Sequence, residues 1–68
     1  MVVFQKTLIE QRKINKLTQR QVAEYLGISQ PSYIRYENGQ SEPTLTNLVK
    51  LADLFDVSVD YLLGRTDL

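Results

Sequence analysis

Apolar positions recur along this chain at helical spacing, and the polar residues between them fall where helices start and stop. Leu8, Ile9, Arg12 and Ile14 lie at that spacing in a segment free of Gly and Pro, which predicts a helix over residues 5–14, broken at Asn15-Lys16. Thr18 followed by Gln21 is a capping box, in which hydroxyl and amide each satisfy an orphan amide of a helix start. It opens a second helix with Val22, Ala23 and Leu26 as its buried stripe and Gly27 as a left-handed stop. Ser29 caps a third helix that tolerates Pro31 in its first turn and closes at Asn38-Gly39. Pro43 forces Glu42 into extended backbone, and Thr44 then caps a fourth helix. Its Leu45, Leu48, Leu51 and Ala52 form an apolar face that Val49 and Phe55 widen. Ser58 caps a last short helix carrying Val59, Leu62 and Leu63, ended by Gly64. The pattern predicts an all-α fold of five helices, with no strands, repeats or linker.

A chain of 68 residues has room for one core, so residues 1–68 are read as a single domain. The absence of cysteine and histidine removes disulfides, thiolate metal sites and the commonest metal ligand and general base. With no Gly-rich phosphate loop and no paired carboxylates in a cleft, no enzyme, metal or cofactor is expected. The apolar runs are far too short for a membrane span, and no secretory signal pattern opens the chain; no membrane partner and a cytoplasmic location are the expectations. A start at Met1 and an end soon after Gly64 would suit a complete small protein. Domains this small have little stability in reserve, which makes oligomerisation an expectation.

Net charge is zero but unevenly spread. Residues 1–40 carry six Lys and Arg against three Glu, a balance of +3, and residues 41–68 carry two against five, a balance of −3. The basic half contains the two short helices joined by Gly27-Ile28-Ser29, a helix-turn-helix in outline whose motif core is residues 18–38. Around it stand Leu17-Thr18-Gln19, Val22-Ala23, Leu26-Gly27-Ile28-Ser29-Gln30, Tyr36-Glu37-Asn38-Gly39, Pro43-Thr44-Leu45, and Leu51-Ala52 ahead of Val57-Ser58-Val59-Asp60-Tyr61-Leu62-Leu63. In that order and spacing, residues 5–64 closely resemble the Cro/C1-type helix-turn-helix family, also called the XRE family, of phage repressors and bacterial regulators. The resemblance implies a five-helix lambda-repressor-like domain that binds double-stranded DNA.

The third helix is the one a major groove about 12 Å wide would admit. Tyr33, Tyr36 and Glu37 share one of its faces, so Gln30, Pro31, Ile34 and Arg35 turn outward as base-contact candidates, with Asn38 at the end. Gln30 suits adenine, Arg35 suits guanine, and Pro31 or Ile34 suits a thymine methyl. The resemblance makes Gln19 a phosphate contact that also buttresses Gln30. Thr18, Arg20, Ser32, Asn38 and Gln40 are further phosphate candidates, although Thr18 serves equally as a cap and Asn38 as a helix stop. Arg12 and Glu37 fall at the family's positions for a structural ion pair between the first and third helices.

Three departures from the family matter. Lys16 stands where the family often has Gly, with Asn15 beside it able to turn left-handed or Lys16 itself facing phosphate. Tyr33 replaces an aliphatic residue and needs either a partner for its hydroxyl or a surface position. Gln40-Ser41-Glu42 lacks the basic residues that some members set against the backbone, so affinity per protomer is expected to be modest. Modest affinity points to a homodimer, with Phe55, Val57, Val59 and Tyr61 as its interface or, alternatively, as closure of the monomer core. The expected function is a sequence-specific transcriptional regulator, a dimeric repressor reading an inverted repeat. The alternatives are the antitoxin of a toxin–antitoxin pair and a restriction-modification controller; a protein partner, toxin or antirepressor, belongs with them.

Overall fold

The computed structural model describes residues 2–65, with Asp67 of the acidic half outside them. Among the described residues there are five helices and no strand: α1 Val2–Ile14, α2 Gln19–Leu26, α3 Gln30–Asn38, α4 Leu45–Phe55 and α5 Val59–Leu62. Helix α1 begins three residues before its expected start, because Phe4 sits one turn ahead of Leu8 and both are buried. Its inward stripe is Phe4, Leu8 and Gln11, and Ile14, expected on that stripe, is exposed.

The helices are short, and their ends are set by local chemistry. Thr18, Ser29, Thr44 and Ser58 each accept a backbone N–H from the third residue of the helix that follows, and Thr18 completes a capping box with Gln21. All five described helices finish in a left-handed residue followed by the same pair of reverse hydrogen bonds, the Schellman arrangement. After α2, for example, Gly27 N–H donates to Glu24 and Ile28 N–H to Ala23. The residues following the left-handed position after α1, α2 and α4 are Leu17, Ile28 and Val57, and each packs back against the core.

Two of these left-handed positions are not glycine: Lys16 at φ 57° and Asp56 at φ 55°. At the first break it is therefore Lys16, not Asn15, that turns left-handed. Leu17 N–H reaches Arg12 O at 3.0 Å and Lys16 N–H reaches Lys13 O at 3.0 Å, which puts the positive φ on Lys16. Asn15 instead donates its side-chain amide to Gln11 O at 2.8 Å.

The core gathers Phe4 and Leu8 of α1, Val22, Ala23 and Leu26 of α2, Tyr33 and Tyr36 of α3, Leu51, Ala52 and Phe55 of α4, and Leu62 of α5. Helix α3 packs against α2 and α1, while α4 leans on α2 and α5. Leu48 is only partly buried, and Leu45 and Val49, read as part of the α4 apolar face, are 83% and 52% exposed. At the start of a helix with one buried side, they fall beyond the stripe that Leu51, Ala52 and Phe55 define.

A left-handed non-glycine residue costs on the order of 1 kcal/mol or more, part of which glycine's looser unfolded state gives back. Lys16→Gly is therefore expected to stabilise the fold by about 0.5–1 kcal/mol, raising the melting temperature by about 2–8 °C. An unchanged or lower melting temperature would show that contacts of the Lys16 side chain already offset the strain.

Candidate nucleic-acid interface

Helix α3 is anchored on one side and open on the other. Tyr33, Tyr36 and Glu37 are buried, and the Tyr33 and Tyr36 rings meet edge to face at 6.2 Å. Gln30, Pro31, Arg35 and Asn38 are exposed, with Ile34 and Ser32 half-buried between the two sides. The four residues expected to meet bases thus form one surface of one helix. Gln40 is exposed just past its end.

The buried side converges on one carboxylate. Arg12 of α1 donates to Glu37 through Nε at 2.6 Å and Nη2 at 3.3 Å, and its Nη1 reaches the Leu17 carbonyl at 3.1 Å. Tyr33 Oη donates to the same carboxylate at 2.5 Å, and Gln19 Nε2 of α2 does so at 3.1 Å. Burial alone would raise the pKa of Glu37, but the hydrogen bonds from Arg12, Tyr33 and Gln19 outweigh it and hold it below the usual carboxylate value. The bond to Glu37 holds Arg12 above its ordinary value against the opposing effect of burial. Burial and the bond to Glu37 together keep the Tyr33 hydroxyl protonated. The tyrosine takes the first of its two expected options, a buried hydroxyl with a partner.

For Gln19 the structure shows a side-chain partner other than Gln30. Its amide is turned to Glu37, and no side-chain hydrogen bond joins it to Gln30 among the described residues. An ionised carboxylate within reach is the stronger acceptor, which explains the preference. Thr18 and Arg20 are exposed beside Gln19. The Thr18 oxygen accepts the Gln21 N–H at 3.0 Å, so its proton stays free to be donated outward. Ser29 likewise donates to Ser32 Oγ at 2.9 Å, leaving the Ser32 hydroxyl proton free.

Of the residues expected at a dimer interface, Phe55 is 4% exposed and belongs to the monomer core, where α4 contacts α5. Val57 and Val59 are half-buried against that core, and Tyr61 is half-buried. A further link escaped the sequence reading. Asn47 of α4 donates its amide to Tyr36 Oη at 3.2 Å, tying the far end of α3 to α4. Residues on separate helices leave no periodic signal of such a bond, whereas the spacing of Tyr33 and Glu37 on one helix could have revealed theirs.

A helix-turn-helix held in a five-helix bundle defines the class, and the chain belongs to the Cro/C1-type helix-turn-helix family, whose model matches residues 8–62. It is 55% identical over 56 residues to the uncharacterized HTH-type transcriptional regulator YobD of Bacillus subtilis, covering 82% of this chain and 50% of that protein. It is 50% identical over 58 residues to the cryptic phage CTXphi transcriptional repressor RstR of Vibrio cholerae, covering 85% of this chain and 52% of that one. The fold matches the crystal structure of a transcriptional regulator from Listeria innocua with a TM-score of 0.87 at 29% identity, over 96% of this chain and 61% of that one. The chain spans about half the length of the curated relatives it matches.

Because the folded-state pKa of Glu37 is depressed, its network contributes in full above the ordinary carboxylate value of about 4.3 and is lost as pH falls through the lower, folded value. Arg12→Met leaves the carboxylate buried without its cation and is expected to cost about 3 kcal/mol, the low end for a broken buried pair, because Arg12 still reaches solvent. Replacing the set together, Arg12→Met with Tyr33→Phe and Glu37→Leu, is expected to recover most of that loss and to flatten the acid limb of the stability profile. Melting curves from pH 7 down to about 3 check both, and a triple variant no better than Arg12→Met would assign the loss to packing.

Proposed function

We propose that the protein is a sequence-specific DNA-binding transcriptional regulator, a repressor that acts as a dimer on an inverted repeat in the cytoplasm. The observation that carries this reading is the division of α3 into a locked inner side and an outer side of Gln30, Pro31, Ile34 and Arg35. Those side chains suit the major groove: an amide for adenine, a guanidinium for guanine O6 and N7, and apolar surface for a thymine methyl. Thr18, Gln19, Arg20, Ser32, Asn38 and Gln40 ring this face with N–H and O–H donors, the groups that position a protein on phosphates. Net charge is zero, so the backbone attraction of one protomer is weak, and a second half-site supplies the rest. The dimer face is assigned to Val57, Val59 and Tyr61, with Phe55 withdrawn into the core.

Selection from a random duplex pool at near-physiological salt is expected to enrich an inverted repeat with half-site centres about 10–11 base pairs apart. Arg35→Ala is expected to cost about 1–3 kcal/mol at one base pair per half-site while leaving preferences elsewhere unchanged. Failure to enrich any sequence, with only weak, salt-sensitive binding left, would remove the DNA-reading function. A loss spread evenly over all sequences would move Arg35 to the phosphate backbone.

A further inference from the structure

The chain has three asparagines, and the fold treats them differently. Asn15 donates its amide to the Gln11 carbonyl at 2.8 Å, and Asn47 donates to Tyr36 Oη at 3.2 Å. Asn38 is exposed at the last position of α3, and its side-chain amide meets no partner among the described residues. It alone is followed by glycine. Gly39 takes the left-handed closure of α3 at φ 78°, and its N–H, shared between the Arg35 and Tyr36 carbonyls, reaches the latter at 3.4 Å. The matching bonds after the other described helices, from Lys16, Gly27, Asp56 and Gly64, measure 3.0–3.2 Å. The Gly39 nitrogen is thus held by the longest bond of its kind, outside the usual range of about 2.7–3.2 Å.

An asparagine amide carbon is an electrophile that the next residue's backbone nitrogen reaches by closing a five-membered ring, and glycine puts no side chain in the way. We propose that Asn38-Gly39 is a self-modification site of the unbound protein: the Gly39 nitrogen bonds to Asn38 Cγ, the side-chain amide leaves as ammonia with the Gly39 proton, and one water reopens the ring to aspartate or isoaspartate. The net change consumes a water and releases an ammonia. The last turn of α3 has to open first, because a helical Asn38 holds that nitrogen away from Cγ, and helix ends are where opening costs least. The consequence rests on the DNA-reading function proposed above. A carboxylate at position 38 stands one turn past Arg35, at the negative end of the α3 dipole and beside the groups assigned to phosphates. It repels the DNA backbone and competes for the guanidinium. A duplex on that face covers Asn38 and keeps the turn closed, so the change accumulates in free protein.

The free chain, and the chain saturated with its selected duplex, are held at neutral pH and physiological temperature and mapped by mass spectrometry, with isoaspartate read by enzymatic methylation. Conversion at Asn38 is expected to outpace that at Asn15 and Asn47 by an order of magnitude, and the duplex to slow it several-fold. Hydrogen exchange of the free chain is expected to find the Gly39 amide less protected than that of Gly27. Asn38→Asp, which installs the product's charge, is expected to bind the duplex about three- to tenfold more weakly, the worth of one hydrogen bond. Asn38 converting no faster than Asn15 and Asn47 overturns the site, and a Gly39 amide as protected as that of Gly27 overturns the route through an opened closure. Conversion that the duplex does not slow, or Asn38→Asp binding at full strength, overturns the link to DNA. A chain that converts at Asn38 yet selects no duplex keeps the modification and removes the DNA reading.

Discussion

Three helices of this small domain meet at one carboxylate. Glu37 accepts four hydrogen bonds, from Arg12 on α1, Gln19 on α2 and Tyr33 on α3, and Arg12 extends the network to the Leu17 carbonyl between α1 and α2. A buried ion pair is a weak source of net stability, since desolvation takes back most of the attraction. What it adds is orientation. Each residue of a helix is turned about 100° from the last, so fixing Glu37 and Tyr33 inward also fixes the azimuth of Arg35 and Gln30 outward. An apolar side chain at Glu37 would tolerate small rotations that a bidentate guanidinium does not.

The same economy governs the helix ends. Helices of 8 and 9 residues, such as α2 and α3, would not persist alone in water. Capping at their starts and left-handed closure at their ends satisfy backbone groups that would otherwise be orphaned, and these motifs set where each helix stops. Because α2 ends at Gly27 and α3 is capped by Ser29, only Ile28 is free between them, and it packs on the core. The turn that aims α3 is thus specified by three consecutive residues.

This locality explains what could be read from sequence. The starts of α2 to α5 and the closures at Gly27 and Gly39 depend on residues within one turn, and the polar signals of Thr18, Ser29, Thr44 and Ser58 are unambiguous. The outward face of α3 was legible for a related reason, since two tyrosines and a glutamate at helical spacing declare the opposite side. What stayed hidden depended on distant packing. Phe55 and Val49 are both apolar residues of α4, and only the placement of α2 and α5 decides that one is core and the other surface. The bond from Gln19 to Glu37 joins separate helices and leaves no periodic signal. Lys16 shows the limit of propensity, because Asn15 is the better left-handed residue and the hydrogen-bond count of the closure overruled it.

Charge completes the same division of labour. Arg12 and Glu37 neutralise one another in the interior, so the basic surface of residues 1–40 consists of Lys6, Lys13, Lys16, Arg20 and Arg35 against Glu10 and Glu24, all exposed. Helices α4 and α5 and the turns beside them expose Glu42, Asp53, Asp56 and Asp60 against Lys50 and Arg65. A domain neutral overall but polarised in this way is oriented by an anionic surface more than it is attracted to it. On the proposed DNA-binding function, non-specific adhesion, which scales with the number of phosphates neutralised, is expected to be low for a chain of zero net charge. Under the proposed function, discrimination falls on the few groups of α3 that reach outward, and the interior carboxylate and the capped turn set the direction in which these groups point.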